Sequence, residues 1–320
     1  MKKIEKISIV GLGAVGSAYA GQMLQFLPRE NIRVIADGAR YVNYRNEGIN
    51  INGSTIKFDI YAPEEKCSPA DLLIFAVKFN QLEEAIQLAR HHVGDDTIII
   101  SLLNGITSEE IIGNVFGREK ILYSLCFGID SVRTGNRVSF KNLGTIAFGE
   151  KNNHPGDYSA KVKKLQEFFT RVQINFSVPE DMMRTLWWKF LLNVGINQVS
   201  AVLRAPYGVF QNVPAAREIM LGAMEEVISI STAAGVNLGQ DDIQELLGVI
   251  DGLSPAGKTS MLQDIEARRQ TEVNIFGGTV VELGRKYGIS TPINQILLDI
   301  IRAQEKIFIY LPDCQDGNRS

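Results

Sequence analysis

The chain is poor in the residues that build disulfide frameworks and metal sites. Its 320 residues include only 3 cysteines (Cys67, Cys126, Cys314) and 3 histidines (His91, His92, His154). An odd number of widely spaced thiols fits reduced cysteines in a cytoplasm better than a set of bridges. The histidines lack metal-ligand spacing, so neither a metal centre nor histidine-based catalysis is expected. Long apolar runs are also missing: nothing approaches the roughly 20 residues needed to cross a bilayer. The opening Met1-Lys2-Lys3-Ile4-Glu5-Lys6 is charged like the start of a signal peptide, but it leads into a strand and a glycine turn without a small-residue cleavage site. A cytoplasmic protein with no membrane partner is therefore expected. The net charge is −3 and no basic run occurs, which leaves no footprint for nucleic acid.

What is present suits a soluble globular protein, with 45% hydrophobic and 22% charged residues and length enough for two domains. Its expected partners are small molecules or a second copy of itself, as a homodimer. From residue 4 to about 125, short β-branched runs alternate with helical stretches, the pattern of a parallel sheet covered by helices. The strand candidates are Ile7 to Val10, Ile32 to Ala36, Leu72 to Val77, Thr97 to Leu102 and Ile121 to Leu125. Asn52-Gly53, between alternating residues 49–56, signals a hairpin. Residues 130–149 alternate around Thr134-Gly135-Asn136 and read as antiparallel strands closing the sheet. After Val178-Pro179 strand signals vanish, and helices are expected at 180–204, 213–235, 240–251, 256–287 and 292–310. The fold class is thus α/β over 1–178, a Rossmann-type dinucleotide-binding domain by the Gly11-x-Gly13-x-x-Gly16 turn after the first strand, followed by an all-α domain over 179–312, with 313–320 a disordered polar tail.

Gly11-Leu12-Gly13-Ala14-Val15-Gly16 follows the first strand and opens a helix rich in small residues. Alone, GxGxxG says little; strand, glycine turn, helix and second strand within about 30 residues give it meaning. Gly11 permits the tight turn, Gly13 lets backbone approach a pyrophosphate, and Gly16 lets helix and strand pack. The N–H groups of Ala14, Val15 and Gly16 then face the phosphates at the helix N-terminus. Asp37 ends the second strand about 20 residues further on, where an acid accepts the ribose hydroxyls of NAD and repels the 2′-phosphate of NADP. Arg40 and Arg45 are close enough in sequence to offset that repulsion, and an acid there also suits a helix cap. Lys78 follows a buried strand at its C-terminal end, where open α/β sheets bind ligands, and Asn104-Gly105 forms a turn after the next strand.

The segment Trp187 to Asn197 (WWKFLLNVGIN) places Lys189, Asn193 and Asn197 four residues apart among apolar neighbours. Each step advances about 40° beyond a full helical turn, so the three form one narrow polar stripe. Two readings are open, a structural polar network and a lysine lining a ligand cleft. A lysine in a cleft can donate a proton to a carbonyl oxygen and stabilise the developing alkoxide. The two carboxamides can orient a ligand without adding charge.

Taken in order, the glycine turn, Lys78 after Leu72-Leu73-Ile74-Phe75-Ala76-Val77, Leu103-Asn104-Gly105, the Leu186-Trp187-x-Lys189-x3-Asn193-x3-Asn197 helix, and Ser260-Met261-Leu262-Gln263-Asp264-Ile265 through Thr271-Glu272 resemble the ketopantoate reductases. The resemblance runs from residue 7 past 272. It implies NADPH-dependent reduction of 2-dehydropantoate to (R)-pantoate, on the way to pantothenate and coenzyme A. It also implies Lys189 as catalytic acid, Asn193 and Asn197 lining the substrate site, and Ser260 binding the substrate carboxylate. Asn104 and Lys78 would lie near the nicotinamide and the phosphate end of the cofactor. Glu272 would contact the cofactor or reacting region; if 256–287 were one unbroken helix, it would sit about 18 Å from Ser260, with Arg268 one turn before it. Two departures stand out. Many members carry an arginine where this chain has Asp37, and an asparagine often precedes the serine motif, where this chain has Pro255-Ala256-Gly257-Lys258-Thr259. Both departures suit a relative of different specificity, an NAD-dependent D-2-hydroxyacid dehydrogenase acting on branched or aromatic 2-keto acids. A non-catalytic nicotinamide-nucleotide sensor is the reading from another class. The cofactor is thus NAD by Asp37 and NADP by resemblance.

Overall fold

The structure, a computed structural model, describes residues 3–310, so the tail read over 313–320 and Cys314 lie outside the described residues. The described residues divide into two compact units, the first ending at Leu186 and the second beginning at Trp187. The elements in order are β1 (Ile7–Val10), α1 (Ala14–Met23), β2 (Ile32–Ile35), α2 (Gly38–Glu47), β3 (Ile49–Ile51), β4 (Ser54–Ile56), β5 (Asp59–Tyr61), β6 (Leu72–Phe75), α3 (Leu82–Leu88), β7 (Ile98–Ser101), α4 (Ser108–Phe116), β8 (Tyr123–Phe127), β9 (Val132–Thr134), β10 (Arg137–Ser139), β11 (Thr145–Gly149), α5 (Ala160–Arg171) and β12 (Phe176–Ser177). They continue as α6 (Met182–Leu203), α7 (Tyr207–Asn212), α8 (Pro214–Ala233), α9 (Gln240–Asp251), α10 (Ser260–Glu266), α11 (Gly277–Tyr287) and α12 (Pro292–Tyr310).

In the first unit, five parallel strands run in the order β5-β2-β1-β6-β7. The chain winds from β1 outward through β2 to β5, then returns to β6 and β7 on the other side, which is the doubly wound arrangement. The central strands are buried at every position and largely apolar because both faces are covered. Alternate residues feed two cores: Ile9, Ile74 and Ile100 enter one, and Val10, Leu73, Phe75 and Ile99 enter the other. The 49–56 hairpin is present, turned by Asn52 and Gly53 with φ of 48° and 89°.

Residues 130–149 do not close the parallel sheet as antiparallel strands. β9 and β10 instead extend the hairpin into a separate four-stranded sheet, β4-β3-β10-β9, and β11 joins β8 and β12 in a three-stranded one. Alternation marks a half-buried strand but not its partner, and Val138 finds its burial beside β3. Three elements of this unit carried no sequence expectation: α5, β12, and β5, which pairs with β2.

At the opposite end of the sheet from the glycine turn, His92 is 1% exposed and its Nδ1 lies 2.8 Å from Ser8 Oγ, while Nε2 has no partner. Burial, then the charges of Arg33 and His91, push its pKa down from 6.5 to about 4. The unfolded chain thus binds a proton more readily than the folded one between those values, so the contribution is complete above pH 6.5 and is lost as pH falls through about 4. The loss should be on the order of 3 kcal/mol. Urea midpoints from pH 8 to 4 check this, and His92→Gln should flatten the acid limb.

The second unit is helical. The helix expected over 256–287 is broken into α10, a 3-10 turn at Val273–Ile275, and α11. α10 ends where Arg269 N–H bonds Asp264 O and Arg268 N–H bonds Ile265 O, with Arg268 at φ 51°. This is a Schellman closure with arginine in the left-handed position usually held by glycine. The 18 Å separation and the helical turn between Arg268 and Glu272 therefore do not apply. α7 was not expected; Pro255 and Gly257 carbonyls accept the Gly208 and Tyr207 N–H groups at its start. No helix of the described residues is long and apolar enough to cross a membrane.

Candidate functional site

The residues singled out by sequence fall into two sets, one on each unit. In the first, four strand ends lie side by side. The register pairs Val10 with Ile35 and with Phe75, and Phe75 with Ser101, so Gly11, Asp37, Lys78 and Asn104 all lie in the segments leaving the C-terminal edge of the sheet. The chain reverses its winding direction between β1 and β6, and such switch points are where open α/β sheets bind ligands.

The three glycines differ in what surrounds them. Gly11 has φ 99°, and a Cβ there would stand 2.6 Å from Ala76 O; one on Gly16 would stand 2.0 Å from Gly11 O. Both positions are demanded by the turn itself. Gly13 is different, since the nearest atom to its hypothetical Cβ is Ala76 O at 3.7 Å, an ordinary contact. None of the described residues needs glycine there, which fits the close approach of a ligand's phosphate. Gly13 is the N-cap of α1, with no side-chain cap and no acid in the first turn, so the Ala14, Val15 and Gly16 N–H groups meet no competing carboxylate there.

Asp37 occupies the N-cap position of α2 but makes no capping bond. Its Oδ1 accepts from Arg40 Nη2 at 3.2 Å, and Arg40 also reaches Glu84 at 2.5 Å. All three side chains are partly exposed, and such surface pairs are worth about 0–1 kcal/mol, so Asp37 can turn to a ribose at little cost. Arg45 lies over the Tyr41 ring and donates to its hydroxyl. Lys78 and Asn104 are half-buried.

A network that sequence reading missed fixes the Asn104 turn. Ser101 Oγ bonds Ser108 Oγ at 2.8 Å, Ser108 donates to Glu109 Oε2 at 2.8 Å, and Glu109 Oε1 accepts the Ser124 N–H at 3.2 Å. Ser124 Oγ closes the ring by donating to Ser101 O at 2.7 Å. All four residues are buried, which makes each bond costly to lose. The signal was available: small hydroxyls and a carboxylate among otherwise apolar positions at the sheet's end.

In the second unit, Lys189 and Asn193 are half-buried on α6 and Asn197 is buried. Asn197 Nδ2 donates to Asn193 Oδ1 at 3.4 Å, so the stripe is continuous. Phe190 and Leu191 cover the rest of the helix surface with the buried Val194 and Ile196. Ser260 is exposed at the first residue of α10; the N-cap is the buried Thr259, which accepts the Leu262 N–H and bonds Ser200 Oγ at 3.1 Å. Lys258, two residues before Ser260, is paired with Glu266 at 2.7 Å. Glu272 is half-buried before the 3-10 turn. Among the described residues no group of three His, Cys, Asp or Glu could hold a metal ion, and Cys67 and Cys126 form no disulfide.

Sheet order, glycine turn and the acid at the second strand's end define a Rossmann-type dinucleotide-binding protein with a helical second unit. More particularly, the chain belongs to the ketopantoate reductase family: the PanE/ApbA ketopantoate reductase model matches residues 7–153 and its C-terminal counterpart residues 181–305. It is 28% identical to the 2-dehydropantoate 2-reductase of Aquifex aeolicus, over 94% of this chain and 97% of that one. The Pyrococcus horikoshii enzyme of the same name is 25% identical over 94% and 98%. Among solved structures, a D-mandelate dehydrogenase with NADH and anilino(oxo)acetate matches with TM-score 0.82 at 24% identity, over 94% of this chain and 98% of that one. A dimeric ketopantoate reductase from Staphylococcus aureus matches with TM-score 0.79 at 20% identity, over 94% and 99%.

Proposed function

We propose that the protein reduces a 2-keto acid with a nicotinamide dinucleotide, the substrate being 2-dehydropantoate and the product (R)-pantoate. The observation that carries the reading is Gly13, whose missing side chain no neighbour requires, in a turn whose helix N-terminus has no acid beside it. A bound dinucleotide supplies the hydride. The Ala14, Val15 and Gly16 N–H groups would hold its diphosphate, Asp37 would accept the ribose hydroxyls, and Lys78, Asn104 and Glu272 would bind further along the cofactor. Lys189 protonates the carbonyl oxygen and its charge stabilises the developing alkoxide. Asn193 and Asn197 orient the substrate as neutral donors and acceptors, Asn104 contributes from the sheet edge, and Ser260 receives the carboxylate. The reading includes a cytoplasmic homodimer, tested by sedimentation equilibrium of the purified chain.

Two observations favour a second reading, an NAD-dependent D-2-hydroxyacid dehydrogenase for branched or aromatic 2-keto acids. Asp37 caps no helix and is set to repel a 2′-phosphate, and the segment before Ser260 spends its carbonyls on α7 rather than offering an asparagine. Steady-state assays with NADH and NADPH, each against 2-dehydropantoate and a set of branched and aromatic 2-keto acids, separate the two. A protein that binds the dinucleotides but oxidises neither with any of these acids would instead be a sensor. In the same assay Asp37→Ser should move the NADPH:NADH preference toward NADPH by about tenfold or more, since a like-charge juxtaposition costs several kcal/mol when desolvated.

A further inference from the structure

Arg133 lies on β9, outside every motif in the sequence, yet its guanidinium reaches the glycine turn. Nη1 donates to the Leu12 carbonyl inside the turn and to the Tyr44 hydroxyl at 3.3 Å. Nε donates to Gly135 O at 2.9 Å, and the guanidinium carbon sits 5.7 Å from the centre of the Tyr44 ring. These contacts fix the fork between the turn and α2 and leave Nη2 unused among the described residues. Arg133 is half-buried, and Nη2 is not among the buried polar atoms that lack a partner, so that edge is open to solvent.

Charge gives the placement a purpose. The start of α1 supplies the equivalent of about half a positive charge, against the two negative charges of a dinucleotide's diphosphate. The turn alone leaves most of that charge uncompensated. A guanidinium offers paired donors matched to phosphate oxygens and keeps its charge at every working pH.

We propose that Arg133 is a cofactor-binding residue: its free Nη2 edge holds a diphosphate oxygen of the nicotinamide dinucleotide while Nη1 locks the turn in the conformation that receives it. The proposal rests on the oxidoreductase reading above and adds a residue to it. A purely structural role, pinning the β9–β10 hairpin to the turn, is the competing account, and the two differ in which ligands they affect.

The test uses the full chain with Arg133→Met and Arg133→Lys, titrated with ADP-ribose, NADH and NADPH, and with adenosine by competition. Arg133→Met should weaken ADP-ribose and both dinucleotides by about tenfold to a hundredfold, the range for a hydrogen bond to a charged group. Adenosine should bind as before, and Arg133→Lys should fall between Met and wild type. The salt dependence of dinucleotide binding should become shallower in Arg133→Met. Unchanged ADP-ribose binding, an equal loss for adenosine, or a loss confined to NADPH overturns the assignment to the diphosphate. Melting temperatures without ligand separate a fold defect from a binding defect. If the wild-type chain itself binds none of the dinucleotides, the oxidoreductase reading fails instead.

Discussion

Lys189→Met should lower turnover with a 2-keto acid by about a hundredfold to ten-thousandfold, the usual contribution of a positioned general acid, while dinucleotide affinity stays close to wild type. Methionine keeps the length and the apolar stem of lysine and removes the proton and the charge. The remainder of α6 should tolerate it, because Phe190, Leu191, Val194 and Ile196 supply the helix's buried surface without help from position 189. The glycine turn, Asp37, Lys78 and Asn104 belong to the other unit and Glu272 lies outside α6, which is why binding and turnover should separate. Lys189→Arg sharpens the experiment: it keeps a cation but holds its proton far too tightly to release it. If arginine restores turnover, the residue acts by charge alone; if methionine leaves turnover intact, the general-acid assignment falls.

The stripe carrying Lys189 was legible in sequence because one helix of regular period needs no knowledge of its neighbours. The same holds for the glycine turn and the hairpin at Asn52-Gly53, where local backbone demands dictate residue type. Helix ends were legible where glycine marked them and, for α6, which ends at Leu203 against an expected 204, just before Pro206. α8 and α11 close at Gly235 and Gly288, with φ of 76° and 68°, but α5, α6 and α10 close with Gln173, Arg204 and Arg268 at φ of 53°, 51° and 51°. The same pair of backbone bonds forms in each case, Ile174 to Phe169, Ala205 to Ser200 and Arg269 to Asp264 among them. A left-handed arginine costs roughly 1–2 kcal/mol more than glycine, and tertiary packing of Met261, Leu262 and Ile265 before the break and Val273, Ile275 and Phe276 after it outweighs that. Apolar periodicity continued through the break, so the pattern read as one helix. Partners of strands were illegible for the related reason that β3 and β10 meet across nearly half of the unit's sequence. Arg133 was invisible in the same way, since only the packing of β9 brings it to Leu12.

Gly13→Ala and Gly16→Ala should have opposite effects, although both remove a glycine from one motif. A methyl at Gly16 meets the Gly11 carbonyl at 2.0 Å, and both partners are backbone in a turn that Gly11 holds at φ 99°. Neither can rotate away, so α1 must lift from the end of β1. Overpacking of this kind costs about 1–3 kcal/mol and more where neighbours are rigid, which should appear as a fall in melting temperature of the unliganded protein. At Gly13, φ of −68° and ψ of −164° suit alanine, and the closest atom is 3.7 Å away. Stability should hold or rise slightly, because alanine restricts the unfolded chain more than glycine does. The methyl would instead occupy the path by which a phosphate reaches the first N–H groups of α1. Losing one or two charge-assisted hydrogen bonds there should weaken NADH and NADPH by about tenfold to a hundredfold. Paired melting curves and dinucleotide titrations on the two variants decide the matter: a stable Gly13→Ala protein with undiminished affinity would mean that no phosphate approaches this turn.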